Sequence, residues 1–339
     1  MEDLQIHSPV FFCAGEPSGD LYAGLFAQQI RGQFPNVKIH GVGDGSMEKS
    51  GVEIVMGIER LAAFGLNDSL SSLSSHYSSY LKIARRLVGS NSRTFVAVAY
   101  PGLNIFLCRV AKRHGMKVYY MLPPQIWAWG RFRVRLLKRW VDAIISFLPF
   151  EAGVYRSHGF ETLLFDNPLV KLLHQYKRRR RKRRIGFMPG SRPSQIARNL
   201  SVVLRLAEFI RDRRPDIELC MVAYDTEVAA HLRCRQRSLP VISKDRYQVM
   251  KDCDLLVVSS GTASLEAAAM RIPQIFFHHL SFLDDLVLRK FVHLDEFNLA
   301  NLYYDEKIVP SYITSNARLL ERQLKDALKD YLQTVGNPE

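Results

Sequence analysis

Three stretches join small residues to charged or hydrogen-bonding side chains just past an apolar run, the composition of a loop that holds a ligand at a strand end. The first is Ala14-Gly15-Glu16-Pro17-Ser18-Gly19-Asp20. Its glycines permit a close turn, and Glu16 and Asp20 bring carboxylates suited to a general base or to orienting sugar hydroxyls. Ser18 or Asp20 equally suits the cap of a following helix. The second, Pro189-Gly190-Ser191-Arg192, offers backbone amides and a guanidinium fork fitted to phosphate oxygens. A short loop capped by Ser194 explains it as well. The third is Ser259-Ser260-Gly261-Thr262-Ala263-Ser264-Leu265-Glu266. Its small residues leave room for a diphosphate at a helix N-terminus. Glu266 is placed either to accept from ribose hydroxyls or to complement the helix dipole. Two phosphate-type loops in one half of the chain point to a nucleotide-binding C-terminal half. None of the three is a Walker A or G-x-G-x-x-G pattern.

Other candidates carry less. Asp252-Cys253-Asp254 has the letters of a D-x-D metal motif but precedes a strand instead of ending one. His278-His279 lacks a third ligand at metal spacing, so no metal is expected. Trp127 and Trp129 suit either stacking on a sugar or filling a wall between domains.

These loops need strands to present them, and the chain supplies apolar runs alternating with helical patterns. Residues 10–15, 37–43, 94–98, 117–121 and 143–147 read as buried strands of one unit, and 185–188, 218–223, 254–258 and 273–277 as those of a second. Continuously apolar strands separated by helices predict parallel sheets covered on both faces, an α/β fold of two doubly wound domains. The expected boundaries are a domain over 1–170, a basic linker over 171–184, a domain over 185–315 and a final amphipathic helix over 316–339. That helix is expected to pack back toward the first domain.

Composition narrows the class. The chain has 339 residues, 47% hydrophobic and 24% charged, which excludes collagen-like, low-complexity and wholly disordered classes. No apolar stretch approaches the roughly 20 residues of a membrane span. The start, Met1-Glu2-Asp3-Leu4-Gln5, lacks the basic region of a secretory signal. Five scattered cysteines read as reduced thiols in a cytosol. The net charge is +14, and the unbroken basic run 177–184 carries eight of those charges, leaving +6 elsewhere. Such a chain is drawn to anionic membranes, phosphorylated substrates or nucleic acid. The run has no interleaved aromatics, which argues against nucleic acid.

Six strings in order then resemble the lipid-A-disaccharide synthase family of inverting GT-B glycosyltransferases. They are AGEPSGDLYAG from Ala14, LPPQIWAWGRFRV from Leu122, LPFEAGVY from Leu148, MPGSRPSQIARNL from Met188, SSGTASLEAAAMRIP from Ser259 and NLANLY from Asn298. The resemblance implies two Rossmann-like domains facing a central cleft. It implies a UDP-diacylglucosamine donor, a diacylglucosamine 1-phosphate acceptor, a β-1,6-linked disaccharide product and no cofactor. Carried onto this chain, Gly190, Ser191, Arg192, Ser260, Gly261 and Thr262 would meet the donor phosphates and Glu266 the ribose. Asn298 and Asn301 would lie near the donor, and Ser18, Asn104 and Gln125 would line the cleft. It further implies a cytoplasmic enzyme held peripherally at the anionic inner-membrane surface, with no nucleic-acid partner and an oligomeric state left open.

The chain also departs from that pattern. Where the family carries D-x-P-D-F-N, this sequence reads Ala99-Tyr100-Pro101-Gly102-Leu103-Asn104, without either aspartate. The family's G-H-P reads Asp166-Asn167-Pro168, and its membrane-facing methionine-glycine pair reads Phe64-Gly65. An inverting transfer needs a base for the acceptor hydroxyl. Two classes follow: an enzyme with Asp20, Glu16 or Asp166 as base, Asp20 first among them, or a homologue that binds a nucleotide sugar or lipid without turnover.

Overall fold

The computed structural model describes residues 4–58, 71–126, 132–176, 183–281 and 298–334. The expected sites at Phe64-Gly65, at Trp127 and Trp129, and in the basic run over 177–182 lie outside them.

The chain separates into two units, Met1–Leu169 and Val170–Glu339. The first holds strands β1 (Val10–Ala14), β2 (Ile39–Gly43), β3 (Glu53–Gly57), β4 (Thr94–Val98), β5 (Lys117–Met121), β6 (Ala143–Ser146) and β7 (Thr162–Leu164). They form one sheet in the order β3-β2-β1-β4-β5-β6-β7, every pairing parallel. The second unit holds β8 (Arg184–Met188), β9 (Glu218–Val222), β10 (Val241–Ile242), β11 (Leu255–Val258), β12 (Gln274–His279) and β13 (Ser311–Thr314). Their order is β10-β9-β8-β11-β12-β13, again all parallel. The α/β class with two doubly wound sheets is as expected. In each sheet the chain works outward from a central strand, then crosses back to the other side. The strand order therefore reverses between β1 and β4, and between β8 and β11, where sheets of this kind bind ligands.

The inner strands are apolar because helices cover both faces. Every residue of β1 and of β4 is buried. Helices Ser71–Gly89, Pro101–Arg113 and Phe132–Trp140 pack side by side over one face of the first sheet, contributing Ile83, Leu87, Leu103, Leu107 and Leu137 to its core. In the second unit the helix Pro193–Arg213 buries Ile196, Leu200, Val203, Leu206 and Ile210.

Two further elements belong to the second unit's own packing. The final helix, Ala317–Thr334, is one of them. Its Leu320, Leu324, Leu328 and Leu332 enter the second unit's core beside Pro193–Arg213, because a leucine every fourth residue makes one apolar stripe matching that core. The basic run does not end as a free linker. Arg184 opens β8 and pairs with Glu218 at 2.8 Å, while Arg183 pairs with Asp216 at 2.6 Å.

Past β6, the helix Pro149–Ser157 buries Glu151 against Ser146, and burial pushes the Glu151 carboxyl up to about 8 against the pull of the Ser146 hydroxyl. Hydrogen counting agrees. Ser146 Oγ carries one proton but faces Glu151 Oε2 at 2.7 Å and the Leu148 carbonyl at 3.1 Å. A protonated Glu151 donates to Ser146 Oγ, which passes its own hydrogen to Leu148.

Below the ordinary carboxyl value of 4.5, Glu151 is protonated in folded and unfolded chains alike, and its contribution is complete. Between that value and about 8 the unfolded chain loses the proton first, so stability falls as pH rises. Glu151→Gln should flatten this fall, which amounts to roughly 1.4 kcal/mol per pH unit inside the window. Urea midpoints at several pH values measure it. Identical pH slopes in the two proteins would refute a protonated Glu151.

Candidate functional site

At the first reversal point, one buried amide shapes the loop. Asn104, on the helix Pro101–Arg113, donates through Nδ2 toward Cys13 O at 3.0 Å, Val98 O at 3.0 Å and Ala99 O at 2.9 Å. It thereby ties the carboxyl end of β1 to that of β4. Tyr120 Oη adds a bond to Ala99 O at 2.8 Å, and Ala99 N donates to Met121 O. These bonds hold Ala99 and Tyr100 at φ 50° and 45°, a left-handed turn that costs non-glycine residues about 1–2 kcal/mol each. The Tyr100 ring then lies over Gly15, where a Cβ would meet it at 2.4 Å. Glycine at 15 is what lets the two strand ends close up.

The expected carboxylates separate by environment. Asp20 is 3% exposed and accepts backbone amides from Asp44 at 2.6 Å, Ser46 at 2.8 Å and Met47 at 3.3 Å. That corrects its expected part as the base, since its oxygens are occupied in holding the loop after β2 and the helix Gly45–Lys49. Glu16 sits half-buried at the N-cap of Pro17–Gln33, immediately past β1, and accepts from Ser18 Oγ at 3.2 Å. Burial, then the Glu16 carboxylate, raises the Tyr100 phenol, so it stays neutral and able to donate. Asp166 is exposed past the edge strand β7, four strands or roughly 19 Å from β1. Asn104 is fully buried, so it is a tie within the sheet and not a cleft-lining group. Gln125 is exposed beyond β5.

The second reversal point repeats the device. Asn199, 1% exposed on Pro193–Arg213, donates to Pro189 O at 2.7 Å and Ser259 Oγ at 3.0 Å. Ser259 in turn bonds Met188 O through its backbone amide and its hydroxyl. The ends of β8 and β11 are thus held together. Gly190 takes φ 123°, and a Cβ there would fall 2.4 Å from the Gln195 side chain. Gln195 itself donates to Ser259 O at 2.6 Å. Ser191 and Arg192 stand exposed ahead of the helix Pro193–Arg213. Ser260 occupies the N-cap position of the helix Gly261–Ala269 without a side-chain capping bond, and Gly261 and Thr262 are half-exposed in its first turn. The unit therefore brings both phosphate-type loops to adjacent strand ends, with the exposed Ser191 and Arg192 on one and the half-exposed Gly261 and Thr262 on the other.

Asn298 and Asn301 serve elsewhere than expected. Asn298 Oδ1 accepts from Ala300 N, Asn301 N and Ser264 Oγ, capping the helix Leu299–Tyr304 and bracing Gly261–Ala269. Asn301 exchanges a pair of 2.9 Å bonds with the backbone of Val309. Both are buried, and through these bonds both position the loop. Glu266 is fully buried against Arg246 at 2.7 Å, with Tyr247 Oη at 3.1 Å. Nothing in the local sequence around Arg246 marks it: it lies 20 residues from its partner.

A family model for lipid-A-disaccharide synthetase matches residues 10–334. A lipid-A-disaccharide synthase of Geobacter metallireducens is 30% identical over 322 residues, covering 91% of this chain and 84% of the relative. One from Nitrosococcus oceani is 31% identical over 325 residues, covering 91% and 83%. Among solved structures, a spinosyn rhamnosyltransferase complexed with thymidine diphosphate superposes with a TM-score of 0.60 at 13% identity, covering 96% of this chain and 92% of that one. A UDP-GlcNAc 2-epimerase of Methanocaldococcus jannaschii, complexed with UDP-GlcNAc and UDP, gives 0.58 at 9% identity, with 94% and 91% covered. At such identities these two show the shared fold alone. The family match runs across both sheets and both reversal points, and with it this chain belongs to the lipid-A-disaccharide synthetase family.

Proposed function

We propose that the chain transfers a diacylated glucosaminyl group from UDP to the 6-hydroxyl of diacylglucosamine 1-phosphate, forming a β-1,6-linked disaccharide and UDP. The observation that carries this reading is the family match over residues 10–334. In an inverting displacement the acceptor oxygen attacks the anomeric carbon while the bond to the β-phosphate breaks. The acceptor hydroxyl proton goes to a base, and the departing diphosphate gains negative charge. Donors aimed at that charge are the largest contribution a protein can supply. The amides of Gly190, Ser191, Gly261 and Thr262, with the Arg192 fork, suit that part.

Glu16 is our choice of base. It is the half-buried carboxylate at the β1–β4 reversal point, beside the Ala99–Tyr100 turn, where Ala99 stands at the position of the first family aspartate. Asp20 is sealed by amides and Asp166 stands at the sheet edge.

The peripheral membrane role draws support from surface charge. Helices Ser71–Gly89, Pro101–Arg113 and Phe132–Trp140 contain no Asp or Glu at all. Lys82, Arg85, Arg109, Arg113, Arg135 and Arg139 are exposed on them, with Tyr77 and Phe106 at 62% and 48% exposure. Each cation near an anionic surface contributes about 1 kcal/mol. No helix among the described residues is long and apolar enough to cross a membrane.

Three measurements test these assignments. Arg192→Ala should weaken UDP binding by about 1.5–3 kcal/mol in calorimetric titration, and unchanged affinity would remove Arg192 from the site. Glu16→Gln should lower disaccharide formation by about 10²–10⁴-fold with UDP affinity intact. Full turnover in that variant assigns the proton elsewhere. A wild type that binds UDP but forms no disaccharide would instead favour the binding-only class. Finally, vesicles containing anionic lipid should float the protein at low salt and release it near 1 M salt, where the Debye length is about 3 Å. Retention at high salt would mean an apolar attachment.

A further inference from the structure

The turn after β4 presents a phenol that the packing around it does not use. In Ala99-Tyr100-Pro101-Gly102-Leu103 the Tyr100 hydroxyl is the one polar side-chain group. Three buried tyrosines of the first unit spend their hydroxyls on the backbone. Tyr119 Oη donates to Gln5 O at 2.9 Å, Tyr120 Oη to Ala99 O at 2.8 Å and Tyr155 Oη to Pro124 O at 2.6 Å. Tyr100 differs: it is half-exposed, and its Oη has no hydrogen-bond partner among the described residues.

Its backbone is also held at a cost. A φ of 45° is an outlier for a bulky aromatic residue, and glycine or asparagine would adopt it more cheaply. Asn104 and Tyr120 fix the Ala99 carbonyl just before it. Gly15 leaves the ring its place, since a Cβ there would collide with Tyr100 Cβ, Cγ and Cδ1. Residues from three elements thus hold one strained ring at the β1–β4 reversal point, the end of the sheet where ligands bind. Strain maintained at such a place, around a hydroxyl that bonds no described residue, points to a ligand.

The neighbouring group says which kind. Burial first, and then the Glu16 carboxylate, favours the neutral phenol, so Oη keeps its hydrogen and can donate it. A donor beside a carboxylate is the complement of an alcohol, which gives one hydrogen bond and accepts another.

We propose that Tyr100 is a substrate-binding residue of the transfer: its phenol donates to the oxygen of the acceptor hydroxyl whose hydrogen points to Glu16. As that oxygen attacks the anomeric carbon with its other lone pair, its proton passes to Glu16 and the phenol keeps its own. This rests on the reading of Glu16 as the base.

Tyr100→Phe tests it, because the change removes the hydroxyl and keeps the ring. With diacylglucosamine 1-phosphate in nonionic detergent micelles, kcat/KM for the acceptor should fall about 5–10-fold. The calorimetric affinity for UDP and the thermal midpoint should stay those of wild type, since no bond within the protein is lost. An unchanged kcat/KM, or an equal weakening of UDP, overturns the proposal. A lowered thermal midpoint means the hydroxyl is structural and overturns it too. Glu16→Gln separates the two readings: full turnover there, with the Tyr100→Phe loss intact, removes Glu16 as base and leaves the phenol on the acceptor. If wild type forms no disaccharide, calorimetric titration with the same micelles decides. Tighter binding by wild type than by Tyr100→Phe then upholds the contact while the transfer reading fails. Equal binding, or none, overturns the contact as well.

Discussion

A buried asparagine amide in each half determines where the ligand-facing loops can run. Parallel sheets of this order open a gap where the chain reverses, and the carbonyls at those strand ends have no sheet partner. Asn104 and Asn199 fill that need, each reaching back from the helix after a strand to bind both strand ends. Leaving such carbonyls unbonded in a dry interior would cost about 1–3 kcal/mol apiece. The strained Ala99–Tyr100 turn persists because Asn104 and Tyr120 both bond the Ala99 carbonyl. The close approach at Gly15 follows from the first tie. The Ser259 turn and the start of Gly261–Ala269 follow from the second.

The carboxylates show why residue type alone does not assign a role. Asp20, Glu16, Glu151 and Glu266 all lie on helices or caps just past strand ends. Asp20 is absorbed by three amides, and Glu151 is neutralised by burial. Glu266 is compensated by a clamped guanidinium. Glu16 alone of the four is half-buried, which leaves it at the surface of the reversal point. Solvent and partners divide one chemistry into four different uses.

The nine strands legible in the sequence are the inner strands of the two sheets, and the four it did not announce, β3, β7, β10 and β13, are the four edges. Inner strands are buried on both faces and show as continuous apolar runs. Edges are short or half-solvated: β7 has three residues, β10 two, and β3 and β13 are mostly partly exposed. The phosphate-type loops were legible because small residues follow an inner strand. The parts of Asp20, Asn104, Asn298 and Arg246 were not. Each depends on a partner brought in by the fold, as with Asp20 and the amides 24 to 27 residues on.

The twin amide ties also bear on how such a chain tolerates change. The path of each loop is set from outside it, by a side chain on a neighbouring helix that never meets solvent. Letters within the loop can then be exchanged while its course is kept. Selection can rewrite the chemistry at a strand end without first rebuilding the scaffold, provided the two asparagines stay.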